Sequence, residues 1–141
     1  KDNMTYLTDY IMVFHHFSRY TDYEKRNSRF YIKDNNEYYP DDFDDEISLG
    51  VITEKGLVVI VGCSHIGIIN ILKSISKRVN IPIYAVIGGT HLIEANEVRM
   101  QETINAFKEM NIKLIALSHR RISEELSEEF LYNNTGTVIE I

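Results

Sequence analysis

An α/β layered fold is predicted by short apolar strands that alternate with helix-period stretches over residues 47–141, by a hairpin that opens this region, and by the absence of any two-domain punctuation. Residues 47–53 and 57–61 are β-branched apolar runs separated by Glu54-Lys55-Gly56, which is hairpin spacing with Gly56 as the residue of positive φ. Ile68, Ile69, Leu72, Ile75 and Val79 recur at helical spacing and predict a helix over about 67–79, with Lys73, Lys77 and Arg78 late in it, where cations suit the dipole. Asn80 and Pro82 end it.

The next strand, 81–87, closes on Gly88-Gly89, and Met100, Ile104, Phe107 and Met110 mark a second helix over about 96–110. A buried strand follows at 112–117. Ser123 is a good N-cap for a third helix, with Glu124 and Glu125 in its first turn and Ile122, Leu126 and Phe130 every fourth residue. A last strand is expected over 135–141. Residues 47–141 thus read as a hairpin plus a βαβαβαβ core within one domain, 1–141, free of repeats and of linkers rich in Pro, Gly or Ser.

Residues 1–46 are different in kind. Eleven of the fifteen aromatic residues fall in the first 43 positions, mixed with charges and without one clear period, so strands and loops are expected there. Such aromatic density is the composition of a surface that packs on something else, since each ring buries a large area.

Composition removes several functions. At 141 residues, 44% hydrophobic and 26% charged, the chain is ordinary for one globular domain. A net charge of −6 argues against nucleic acid as a partner, because phosphate neutralisation needs clustered Lys and Arg. No apolar run reaches the roughly 18 residues of a bilayer span, and no leader opens the chain, so the cytoplasm is the expected compartment, and a lone cysteine, Cys63, fits it. The chain opens on Lys1 rather than methionine and reads as a fragment.

The chemically informative pattern is positional. Cys63 and His65 follow the strand ending at 61, His91 follows the strand ending at 87, and His119 follows the strand ending at 117. Carboxyl ends of strands in α/β proteins share one sheet edge, where ligands and catalytic groups collect. Singly, each histidine is as well read as a hydrogen-bonded loop residue, and Cys63 as a small buried strand cap. Jointly, imidazole and thiolate suit zinc or a similar first-row metal, which acidifies water for hydrolysis. Gly62, Gly67, Gly88 and Gly89 flank these loops, as tight turns or as close backbone approaches. His15 and His16 have no cysteine or acidic partner at ligand spacing and read as structural or exposed. The acidic run Asp41, Asp42, Asp44, Asp45 and Glu46 lacks the glycine and distal glutamate of a calcium loop and reads as solvated.

Three segments carry a family resemblance: Lys55-Gly56-Leu57-Val58-Val59, Gly62-Cys63-Ser64-His65-Ile66-Gly67-Ile68-Ile69-Asn70, and Val86-Ile87-Gly88-Gly89-Thr90-His91-Leu92. From about residue 20 to 141 the chain resembles the metallo-β-lactamase superfamily, in particular the dihydropterin ribofuranosylaminobenzene phosphate synthase-like branch. The resemblance implies the C-terminal half of an αββα sandwich with a metal site at one edge between two sheets. It implies that Cys63 stands where the superfamily has its metal-bridging aspartate, or a cysteine in some lactamases. It matches His119 to the last ligand histidine, and His65 and His91 to histidines of this branch that act as ligands or catalytic groups.

Three departures qualify what carries over. The superfamily's His-x-His-x-Asp-His motif belongs to the N-terminal half and has no match in residues 1–141. Where a ligand histidine commonly precedes the hairpin, only Asp42, Asp44, Asp45 and Glu46 are present, with Asp42 as the candidate replacement. After the late histidine the branch continues Cys-Thr-Gly, whereas this chain reads Arg120-Arg121-Ile122, which favours an anion.

The resemblance therefore implies a metal-dependent hydrolase or related enzyme acting on a small molecule. Cys63, His119 and His65 are its metal ligands, His65 and His91 its catalytic residues, and zinc its metal, with iron or manganese as alternatives. The site is incomplete and the chain alone inactive. Half a sandwich should also expose a sheet face lined by Val58, Ile60, Ile83, Ala85, Ile87, Leu114 and Ala116, so a homo-oligomer or a pairing with the missing N-terminal half is expected. Two other readings stand beside this one: a truncated, non-catalytic oligomerising or binding module, and, last, a small-molecule or nucleotide site at the Gly88-Gly89 loop, for which no Gly-x-Gly-x-x-Gly or Walker pattern is present.

Overall fold

A computed structural model describes residues 3–93, 95–117, 126, 130–134 and 136–141. The aromatic N-terminal region forms β1 (Met4–Tyr6), β2 (Ile11–His15), β3 (Tyr31–Asp34) and β4 (Glu37–Pro40). The latter two are joined by Asn35-Asn36, both at positive φ, as a two-residue hairpin turn requires. The expected hairpin follows as β5 (Ile47–Thr53) and β6 (Gly56–Val61), with Gly56 at φ +133°. Then come α1 (Ile68–Ser76), β7 (Ile83–Gly88), α2 (Glu97–Glu109), β8 (Leu114–Leu117) and β9 (Phe130–Tyr132).

Among the described residues seven strands make one sheet in the order β1-β2-β5-β6-β7-β8-β9, and β3 and β4 pair separately. The first four are antiparallel and β6 through β9 run parallel, so β6, β7 and β8 bring their carboxyl ends to a common edge. Met12, Phe14, Leu57, Val59, Val61, Val86, Ile115 and Leu117 form one core with the buried residues of both helices. Because side chains alternate across a strand, Ile11, Val13, Leu49, Val51, Val58, Ile60, Ala85, Ile87, Leu114 and Ala116 point to the opposite face. Ile60 is 37% exposed there, whereas Val58, Ala85 and Ala116 are buried, so the face expected to be bare is exposed only in part; both described helices contribute to the core on the other side of the sheet.

One residue leaves the face expected of it. Ile83 belongs to the helix-side core, because the register slips between Leu57 and Val58, which pair with Ile83 and Ala85 respectively. The slip puts Ile83 on the side of Leu57.

α1 buries Ile68, Ile69, Ile71, Leu72 and Ile75 fully on its apolar face, and Asn70 and Ser74 on its polar face are buried as well. Such a helix must be covered on both sides. The sheet covers one, and residues 17–24 cover the other through hydrogen bonds to the helix's polar residues. Ser18 N donates to Ser74 Oγ (3.0 Å), while Tyr20 N and Thr21 N donate to Asn70 Oδ1 (2.5 and 3.0 Å). Arg78, beyond the helix end, donates to the carbonyls of Asn3, His15 and His16 rather than serving the dipole. α2 starts at Asn96, whose side chain accepts from Arg99 N at 2.8 Å.

The C-terminal expectations are corrected in part. Phe130, expected on a helix, lies on β9, and the strand expected over 135–141 is absent from the described residues 136–141. A strand persists where a neighbour accepts its ladder. β9 takes the place beside β8, whereas Val138 is 82% exposed. The helix expected from Ser123 lies outside the described residues.

Candidate functional site

The site is built where β6 and β7 end side by side. Val61 faces Gly88 in the parallel ladder, and a Cβ on Gly88 would stand 2.1 Å from Val61 O, with φ already at +136°. Gly89 N donates to Gly62 O (2.8 Å) and Ser64 Oγ to Gly89 O (2.7 Å), so the two following loops are pinned together. Gly88 and Gly89 therefore serve close backbone approach, one of their two expected roles.

This approach brings two of the predicted histidines into ring contact. The His65 and His91 imidazoles lie with centroids 4.6 Å apart, tilted by 50°. Phe43 stacks on His65 at 4.5 Å and 8°, and Phe30 meets His65, His91 and Phe43 edge-on. Three non-glycine residues of this cluster and its loops, Phe43, Ser64 and His91, hold positive φ of 55°, 58° and 46°. Such conformations cost of order 1–3 kcal/mol each and tend to collect at functional sites. His65 Nδ1 is buried with no hydrogen-bond partner among the described residues.

Cys63 is exposed on the same loop as His65, and its Cα lies 3.4 Å from where a Cβ on Gly89 would be. The expectation of a buried strand cap does not hold for it. β8 ends at Leu117, opposite Gly88 in the register. His119 itself, with Arg120 and Arg121, lies outside the described residues. Among the described residues no three His, Cys, Asp or Glu side chains gather to hold an ion. Among the described residues, His65 Nδ1 without a protein partner, the His91 imidazole against the His65 ring and the exposed Cys63 thiol on the same loop are donors of the kinds a metal site uses.

The acidic run is solvated as expected at Asp42, Asp44 and Asp45, whereas Asp41 and Glu46 are half-buried. Asp42 pairs with Arg26. Asp41 Oδ1 accepts from Phe43 N at 2.7 Å, and the Glu46 carboxylate accepts from His65 N and Ile66 N, both at 2.9 Å. Glu46 was missed as a site residue; its only signal was its place immediately before the hairpin. His15 and His16 contact each other through Nδ1 at 2.5 Å at the end of β2, two strands across the sheet from β6. A cavity of about 700 Å³ lined by Tyr20, Lys73, Lys77, Ile83 and Met110 contains none of the candidate residues.

No family model matches the chain. Over 107 residues, 70% of its length, it is 40% identical to a 7,8-dihydropterin-6-methyl-4-(β-D-ribofuranosyl)-aminobenzene-5′-phosphate synthase of Methanocaldococcus jannaschii. A crystal structure of a metal-dependent hydrolase of the β-lactamase superfamily superposes on 94% of the chain with a TM-score of 0.82 and 29% identity. The chain belongs to the metallo-β-lactamase superfamily. Within it, the relationship is to the branch of the dihydropterin ribofuranosylaminobenzene phosphate synthase. The chain spans 36% of the length of that synthase and 52% of the solved hydrolase. Among the described residues no helix is long and apolar enough to cross a membrane.

Proposed function

We propose that this chain is the C-terminal portion of a metallo-β-lactamase-fold metal-dependent hydrolase or related enzyme, and that it is inactive alone. The observation that carries the reading is the ring contact of His65 with His91 at the joined ends of β6 and β7. In the proposal Cys63, His65 and His119 hold a divalent cation, zinc first and iron or manganese as alternatives. Bound there, such an ion supplies acidification of a water toward neutral pH. His91, packed against His65 and Phe30, is the group that orients substrate or moves a proton. The substrate is a small molecule with an ester, amide or phosphoester to cleave, and a single free cysteine suits a reducing cytoplasm.

Inactivity alone is supported by the missing His-x-His-x-Asp-His motif. The sheet face opposite the helices supports a partner through Ile60, an apolar side chain 37% exposed beside Leu49 and Ile87. The relatives' additional length supports an N-terminal half as its occupant, and a second copy of this chain is the alternative. The same face favours the second reading, a non-catalytic oligomerising module.

Elemental analysis of the purified chain beside Cys63→Ser and His119→Ala separates the two. Stoichiometric metal that falls in both variants supports the enzyme portion. Metal absent from all three samples refutes it in favour of the module.

A further inference from the structure

We infer that Glu46 is a positioning residue that fixes the setting of His65. Its two carboxylate oxygens are divided between consecutive backbone amides, Oε1 accepting from His65 N and Oε2 from Ile66 N, each at 2.9 Å. A carboxylate on backbone N–H makes charge-assisted hydrogen bonds, roughly twice as strong as neutral ones. With each oxygen accepting one of these amides, Glu46 holds the loop that carries Cys63 and His65.

The same short segment also grips the ring. Glu46 N donates to Phe43 O at 3.1 Å, closing a tight turn in which Phe43 takes a φ of 55°. That turn lays the Phe43 ring flat on the His65 imidazole, 4.5 Å away and 8° from parallel. Backbone and ring of His65 are thus both set by residues 43–46. The segment is itself anchored, since β5 begins at the next residue and pairs with β6 through Ser48 and Val61. A histidine held at both ends loses little rotamer freedom on binding a ligand, which is how a supporting shell raises site affinity.

The purpose of the clamp rests on the proposed role of His65 as a ligand, while its existence does not. The test is amide hydrogen exchange by NMR at His65 and Ile66 in the wild type, Glu46→Gln and Glu46→Ala, together with cobalt affinity of each. Glu46→Ala is expected to speed exchange at both amides roughly 10–100-fold and to weaken cobalt binding by about 10–100-fold. Glu46→Gln, which keeps one acceptor oxygen, should restore part of both. Unchanged exchange in Glu46→Ala, or faster exchange with unchanged cobalt affinity, overturns the inference. If Glu46→Ala fails to fold, Glu46→Gln decides by the loss of protection at one amide. If the wild type takes up no cobalt, the ligand role fails, and the clamp is judged by the Overhauser contact between the His65 and Phe43 rings: lost with Glu46→Ala if Glu46 positions them, retained if it does not.

Discussion

Glu24 Oε2 lies 2.8 Å from the backbone nitrogen of Asn70, and Oε1 lies 3.0 Å from that of Ile69, so the first turn of α1 is capped by a residue 46 positions earlier in the chain. The helix has no side-chain cap of its own at Gly67, and a Cβ there would fall 2.4 Å from the Glu24 carboxyl carbon. Amides at a helix N-terminus favour an anion. Burial opposes it, and the Glu24 carboxyl is raised above its ordinary 4.5 because desolvation outweighs the two amide bonds and Arg99.

Stability in the acidic range should depend on pH in part through this group. Above 4.5 and up to the raised value, the folded chain holds a proton that the unfolded chain has released, so folding weakens as pH rises through that window. Urea denaturation at a series of pH values is expected to give a falling stability there. The fall should be smaller in Glu24→Gln, and a wild type and variant with the same slope would refute the assignment.

Gly88 and Gly62 flank the same loops and should respond oppositely to alanine. At Gly88 the added carbon meets Val61 O at 2.1 Å and φ is +136°, whereas at Gly62 nothing lies within 4 Å. Gly88→Ala is expected to cost more than about 3 kcal/mol, and Gly62→Ala no more than about 0.5 kcal/mol. Thermal or urea unfolding of the two variants measures the difference.

The sheet face opposite the helices, exposed in part, should govern association. Ile60 stands on it at 37% exposure, beside Leu49 and Ile87 in neighbouring strands. Sedimentation of the isolated chain is expected to show concentration-dependent self-association that Ile60→Lys weakens at least ten-fold, since a charge buried without a partner costs several kcal/mol. A monomeric wild type at high concentration would contradict this.

Periodicity carried the hairpin, both described helices and the strands from 47 to 117, because each pattern agrees with the side the residues bury. It failed at Phe130, where spacing from Leu126 imitates a helix turn but the place beside β8 makes a strand. It failed for Ile83, where a register slip, invisible in sequence, moves one residue to the other face. The shared strand edge made His65 and His91 legible as a pair. Glu24 and Glu46 were not legible, because each bonds to backbone amides some 20 to 46 residues away, and no side-chain pattern records a backbone partner.

Cobalt titration of the chain, followed by NMR, tests the central claim that these strand ends form one face of a metal site. The account predicts that the paramagnetic ion perturbs the His65 and His91 ring signals and the Cys63 amide first, with the effect reduced in Cys63→Ser. Perturbation strongest at His15 and His16, or none at His65 and His91 at any cobalt concentration, would contradict it.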